Sequence, residues 1–247
     1  MLLFLCLAVL LAASTIAAAQ KEAQPQTPYY ARANSFGFLA AYSNDSSHIL
    51  LGIADQRKIL NIGASYSRRL VLNHVVNWQY DGEILPVALD SDPVETTTIT
   101  MTNPTDPSQP IIITGSGTTQ SACHSSSGTF GGSGGTISYV STCSRRWVYG
   151  GGLSPAGFRW NFFPLRKVQP FLGGHGGFMV STQEIPINYA NNFNFTFDFD
   201  AGFEWYRTHS HSWRAEYRYH HISNKNTAIA NPGIDSGLFQ VSYVFGR

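Results

Sequence analysis

Phe193-Asn194-Phe195-Thr196-Phe197-Asp198-Phe199-Asp200-Ala201-Gly202-Phe203-Glu204-Trp205 is the stretch from which the fold can be read. Its odd positions are aromatic apart from one alanine, and its even positions are Asn, Thr, Asp, Asp, Gly and Glu. A period of two puts successive side chains on opposite faces of an extended chain. The segment is therefore a strand with one apolar and one polar face, long enough to cross a bilayer when tilted. Working outward, the same alternation marks strands at 35–43, 58–68, 70–80, 146–161, 167–181, 212–222 and 236–246. With 193–205 they make an even set of the size used by small membrane barrels. Links near 69, 162–167 and 207–211 are short, whereas 81–145, 182–192 and 223–235 are mostly longer. Short turns at one end and long loops at the other predict an all-β, eight-stranded antiparallel up-and-down outer-membrane β-barrel with periplasmic termini.

Alternation alone does not say which face is wet, because a secreted soluble barrel of the lipocalin kind inverts it. Three features favour the membrane form. The apolar stripe of 193–205 is too bulky to pack into an eight-stranded interior, the loops are asymmetric, and the last strand ends in Phe239-x-Val-x-Tyr-x-Phe245. Asp198, Asp200, Glu204, Arg214, Glu216 and Arg218 then point inward, where a narrow barrel turns them into an ion-pair network rather than a channel lining.

The rest of the chain fits an exported protein. Leu2–Ala13 is an apolar run, and Ala17-Ala18-Ala19 offers a cleavage site before Gln20, so 1–19 reads as a signal peptide. No Lys or Arg precedes that run, which points to a start further upstream, and Cys6 leaves with the signal. Residues 20–34 are a polar lead-in, 35–247 the barrel, and 81–145 a long external loop insertion within it. The remaining pair, Cys123 and Cys143, predicts a disulfide that orders a Ser/Gly/Thr-rich segment by roughly 3 kcal/mol. A net charge of +1 gives no basic footprint, so nucleic acid is excluded as a partner.

The chemistry concentrates in the final hairpin. Counting by two from Trp213 gives Ala215, Tyr217, Tyr219, His221 and Ser223 on one face. The next strand puts Asp235, Gly237, Phe239 and Val241 on one parity, and a simple hairpin register sets Tyr219 opposite Gly237 and His221 opposite Asp235. Opposed residues are close enough for His221 to hydrogen-bond Asp235, with Ser223 one same-face step away. A serine hydroxyl needs a base to become a nucleophile, histidine serves near neutral pH, and a carboxylate fixes its tautomer. Ionisable groups on a lipid-facing wall are costly, so three together invite a functional reading. Against it stands chance, since a His, a Ser and an Asp often flank a polar loop.

Arg218-Tyr219, His221-Ile-Ser223-Asn224 and Asn231-Pro-Gly233-Ile-Asp235 together resemble the signature of the bacterial lipid A 3-O-deacylase family. Ser47-His-Ile-Leu-Leu-Gly52 and Arg57-Lys-Ile-Leu also resemble acyloxyacyl-hydrolase-like relatives, and the similarity concentrates in 34–80 and 146–247. The resemblance implies an outer-membrane barrel that hydrolyses the ester-linked 3-hydroxyacyl chain of lipid A. Its site would sit on the lipid-facing wall toward the external leaflet. Ser223 matches the nucleophile and His221 the base. Asp235 stands where the family usually has Glu, and Asn224 and Asn231 match asparagines that orient the site or the oxyanion. Lys225-Asn226 replaces the small residues that usually follow. Lipopolysaccharide and membrane lipids are the implied partners, with a homodimer left open, and no cofactor or metal is required.

The other histidines carry less. His209 and His211 form a solvated turn rather than a metal site lacking further ligands, His175 lies among glycines that permit bending, and His220 has interior parity. His48 finds no place. Two other functions fit the same barrel: a non-catalytic anchor or adhesin displaying 81–145, and a soluble lipocalin-like carrier of an apolar ligand.

Overall fold

The computed structural model describes residues 29–46, 48–106, 108–132 and 135–247. The signal peptide expected at 1–19 lies outside the described residues, as do Ser47 and most of the 20–34 lead-in. The described residues fold into ten strands: β1 (Asn34–Ser43), β2 (Lys58–Leu72), β3 (Val76–Met101), β4 (Ile111–Thr118), β5 (Ser126–Gly132), β6 (Gly135–Phe162), β7 (Val168–Ile185), β8 (Asn191–Tyr206), β9 (His211–Ser223) and β10 (Ile234–Gly246). Pairing runs β3-β2-β1-β10-β9-β8-β7-β6 and returns to β3, closing an antiparallel ring of eight. The barrel of the sequence reading is thus present, and closure leaves that ring without an edge.

Two boundaries differ from expectation. The turn placed near 69 falls at 73–75, because Arg68 and Arg69 stay paired with Tyr80 and Gln79. Asn73 makes the turn instead, its side-chain oxygen accepting from the amides of Val75 and Val76. The segment 81–145, expected as a loop, is largely strand. β3 and β6 stay paired as far as Met101 and Ile137, and β4 and β5 flank them on either side. Val94-Glu-Thr-Thr-Thr-Ile-Thr-Met101 is rich in β-branched residues, which favour an extended backbone even without a core. The result is a four-stranded projection that continues the barrel wall. The Cys123–Cys143 disulfide (S–S 1.99 Å) ties its β4–β5 connection to β6.

Polarity is inverted relative to a soluble barrel. Phe195, Phe197, Phe199, Phe203, Trp205, Trp213, Tyr217 and Phe239 stand exposed on the outward wall. The six charged residues assigned to the interior are all buried. Arg218 clasps Glu83 through two hydrogen bonds of 2.6 and 2.8 Å and Glu216 at 2.7 Å, and Arg159 meets Asp81 at 2.5 Å. Glu204 pairs with Arg214 and with Arg32, a residue of the expected lead-in that enters the lumen. Every cation there faces a carboxylate, which is what makes burial of so many charges tolerable. His175, read from the sequence only as lying among glycines that permit bending or packing within a strand, is buried in this network, its Nδ1 3.3 Å from Asp200. Between the charges and the long-loop end lies an apolar layer that includes Ala54, Ile59, Met179, Ile222, Ile234 and Leu238.

Candidate active site

Residue parity in β9 and β10 fixes the site. Ile222 pairs with Ile234 and both point into the apolar layer, so their neighbours His221, Ser223 and Asp235 face outward. The register is the expected one: Asp235 opposite His221, Gly237 opposite Tyr219 and Phe239 opposite Tyr217. Across the other edge of β9, His221 pairs with Phe197 and Ser223 with Phe195.

His221 Nδ1 donates to Asp235 Oδ1 at 2.6 Å. Its ring keeps a small exposed area (13%), whereas Asp235 is fully buried despite its outward parity. The cover comes from the β1–β2 loop. Leu50 and Leu51 donate their amides to Asp235 Oδ2 at 2.6 and 2.8 Å, while Ile53 and Ala54 bond the carbonyls of Pro232 and Gly233. Gly52 is required at the crossing, because a Cβ there would come within 2.5 Å of the Asp235 nitrogen. Tyr219 completes the set, its hydroxyl donating to Asp235 Oδ1 at 2.8 Å. His48 finds its place here: it bonds the Ile53 carbonyl and approaches Asp55. Leu50 and Leu51 remain 70% and 64% exposed, so the loop shows its amides to the acid and its aliphatic side chains to the outside.

Ser223 is arranged differently. Its hydroxyl donates to Asn231 Oδ1 at 3.0 Å and accepts from the Lys225 amide at 3.2 Å, and no hydrogen bond joins it to His221. Asn231 Oδ1 also accepts from the Asn224 amide at 3.1 Å, which orients the Asn231 carboxamide. Asn224 itself is buried and donates from Nδ2 to the Ala230 carbonyl at 2.7 Å, a contact that closes the β9–β10 loop. Lys225 and Asn226 both have positive φ (53° and 59°), so the loop turns sharply just past the serine. The structure therefore joins His221 to Asp235 and Ser223 to Asn231, and it holds the two pairs side by side on one face.

A furrow of about 730 Å³ opens on the outward wall beside this cluster, lined among others by Phe158, Trp160, Leu172, Gly174, Phe197 and Tyr219. Glycines on β7 form part of its lining and aromatics most of the rest, so it is largely apolar. Tyr219 belongs both to the furrow and to the Asp235 cluster.

The sequence match to known families falls on this region. The family model described as lipid A 3-O-deacylase (PagL) matches residues 116–244, just over half of the chain. It contains His221, Ser223 and Asp235 but leaves out 34–80, where a resemblance was also read. No curated protein matches the chain. Among solved structures, the outer membrane enzyme PagL is similar at 10% identity and TM-score 0.48, covering 85% of this chain and 99% of that one. Neisserial surface protein A gives 13% and 0.44 over 87% and 97%, and outer membrane protein OprG from Pseudomonas aeruginosa 11% and 0.36 over 87% and 98%. The family assignment rests on the sequence match.

Proposed function

This chain belongs to the lipid A 3-O-deacylase family of ester hydrolases, and on that footing we propose that it removes the ester-linked 3-hydroxyacyl chain of lipid A in the outer membrane, using Ser223, His221 and Asp235 on the lipid-facing wall. The observation that carries this reading is the 2.6 Å bond between His221 and Asp235 inside the matched segment, with Ser223 one step along the same face.

In the proposed mechanism Asp235 holds His221 with Nδ1 protonated, so the free Nε2 is the base. The Ser223 hydroxyl first turns from Asn231 toward that nitrogen. Oγ then attacks the ester carbonyl while His221 takes its proton. The sugar hydroxyl leaves with that proton, and an acyl-serine forms. Water, deprotonated by His221, attacks the acyl-serine carbonyl. Collapse of the adduct frees the 3-hydroxy fatty acid as Ser223 recovers its proton from His221. The Lys225 amide and the Asn231 side chain, both already at the serine, are the nearest donors for the oxyanion, Asn231 after its carboxamide reorients. The apolar furrow would take an acyl chain that never leaves the hydrocarbon.

The long-loop end of the barrel, which bears the site, faces the external leaflet in this reading, where lipid A resides. Mass spectrometry of lipid A from cells expressing the wild type or Ser223→Ala tests it. Loss of one 3-hydroxyacyl chain with the wild type alone is the expected result; identical spectra would refute the assignment.

A further inference from the structure

Asp235 receives more than a histidine partner needs. Its Oδ1 accepts from both His221 Nδ1 and Tyr219 Oη, and its Oδ2 accepts from the amides of Leu50 and Leu51. The terminal torsion of an aspartate is broad, so a carboxylate bonded only to His221 could swivel and carry the imidazole with it. Four donors, two on each oxygen, fix the plane of the group and with it the direction in which His221 Nε2 points. The donors also come from different elements: Tyr219 from β9, and the amides from a loop that lies outside the family match. Asp is shorter than Glu by one methylene, so its carboxylate lies close to the strand, where a Tyr219 hydroxyl on the adjacent strand can reach it.

We infer that Tyr219 is a positioning residue for this site: its hydroxyl, opposing the Leu50–Leu51 amides across the Asp235 carboxylate, sets the orientation of the base. The inference rests on the Ser223–His221–Asp235 reading above. Tyr219 is suited to isolate the effect, because Phe keeps the ring that lines the furrow and removes only the donor. Substrate contact and acid positioning therefore separate in one substitution.

The test uses the full chain in detergent micelles with lipid A, and a serine-reactive fluorophosphonate as a second probe. Tyr219→Phe should lower kcat and the rate of phosphonate labelling by roughly tenfold while leaving KM within about twofold, the size expected for one hydrogen bond to a charged group. Gly52→Ala, whose new methyl would drive the turn off the Asp235 backbone, should lower kcat with the same signature. Ser223→Ala is the control on the underlying reading, because retained deacylation or labelling there refutes the catalytic assignment itself. An inactive Ser223→Ala beside a Tyr219→Phe of wild-type kcat and labelling rate would overturn the positioning role alone. A Tyr219→Phe effect confined to KM would overturn it too, since it would assign the hydroxyl to substrate contact.

Discussion

His220 and His221 are neighbours in β9, and each is hydrogen-bonded to an aspartate, yet they belong to different worlds. His220 points inward to Asp198, is buried, and lies beside the Arg218 cluster. His221 points outward, keeps one edge exposed and stands beside a hydroxyl and an apolar furrow. The side-chain chemistry is the same in both. What differs is the strand face, and that decides whether a His–Asp pair neutralises a packed interior or is available to a substrate. The lesson is that in a thin-walled barrel a one-residue register slip would exchange an inward-facing pair for an outward-facing one.

Three substitutions sharpen the contrast, taken from the largest effect to the smallest. His221→Ala should reduce lipid A deacylation by at least about a thousandfold, with the unfolding transition little changed, because the proposed base is lost while Asp235 keeps its three other donors. Steady-state rates and heat-modified gel mobility on one preparation would check both halves. Arg218→Met should do the opposite, stranding Glu83 and Glu216 in the interior and costing roughly 4 kcal/mol of unfolding free energy. Urea titration in lipid vesicles measures this, and the folded fraction should keep near-normal specific activity. Replacing Cys123 and Cys143 by Ser acts on neither face of the hairpin. It should loosen the projection by about 3 kcal/mol, read as faster protease cleavage within 119–125, with the barrel transition and activity preserved. If the double Ser variant lost activity as His221→Ala does, the projection would have to reach the site.

Much of this was legible in the sequence because both the barrel and the hairpin obey a period of two. The Phe193–Trp205 alternation fixed which side chains face out, and counting by two from Trp213 gave the His221–Asp235 register that the pairing shows. Two kinds of information were not legible. Backbone donors have no side-chain signature, so nothing in Leu50-Leu51-Gly52 announced that their amides would hold Asp235. The 81–145 segment, Ser/Gly/Thr-rich between its cysteines, reads as loop, although β-branched residues such as Val94, Thr96, Thr98, Ile99, Ile137 and Val140 extend β3 and β6 far past the barrel. The state of Ser223 was equally hidden, since a hydroxyl offered both Asn231 and His221 takes the partner that the loop geometry favours.

The filled lumen has a consequence for traffic. Between the ion pairs and the apolar layer there is a cavity of about 20 Å³, room for about one water. Among the described residues, buried ion pairs and the apolar layer fill that axis and leave no such room for a fatty acid. If, as proposed, the site lies on the outer wall, the incoming glycolipid, the shortened glycolipid and the freed acid would all move laterally, in the plane of the leaflet. Turnover then follows the surface density of substrate among its neighbours rather than any concentration in the aqueous phase. Diluting the substrate with inert lipid at constant bulk amount should slow the enzyme as effectively as removing it.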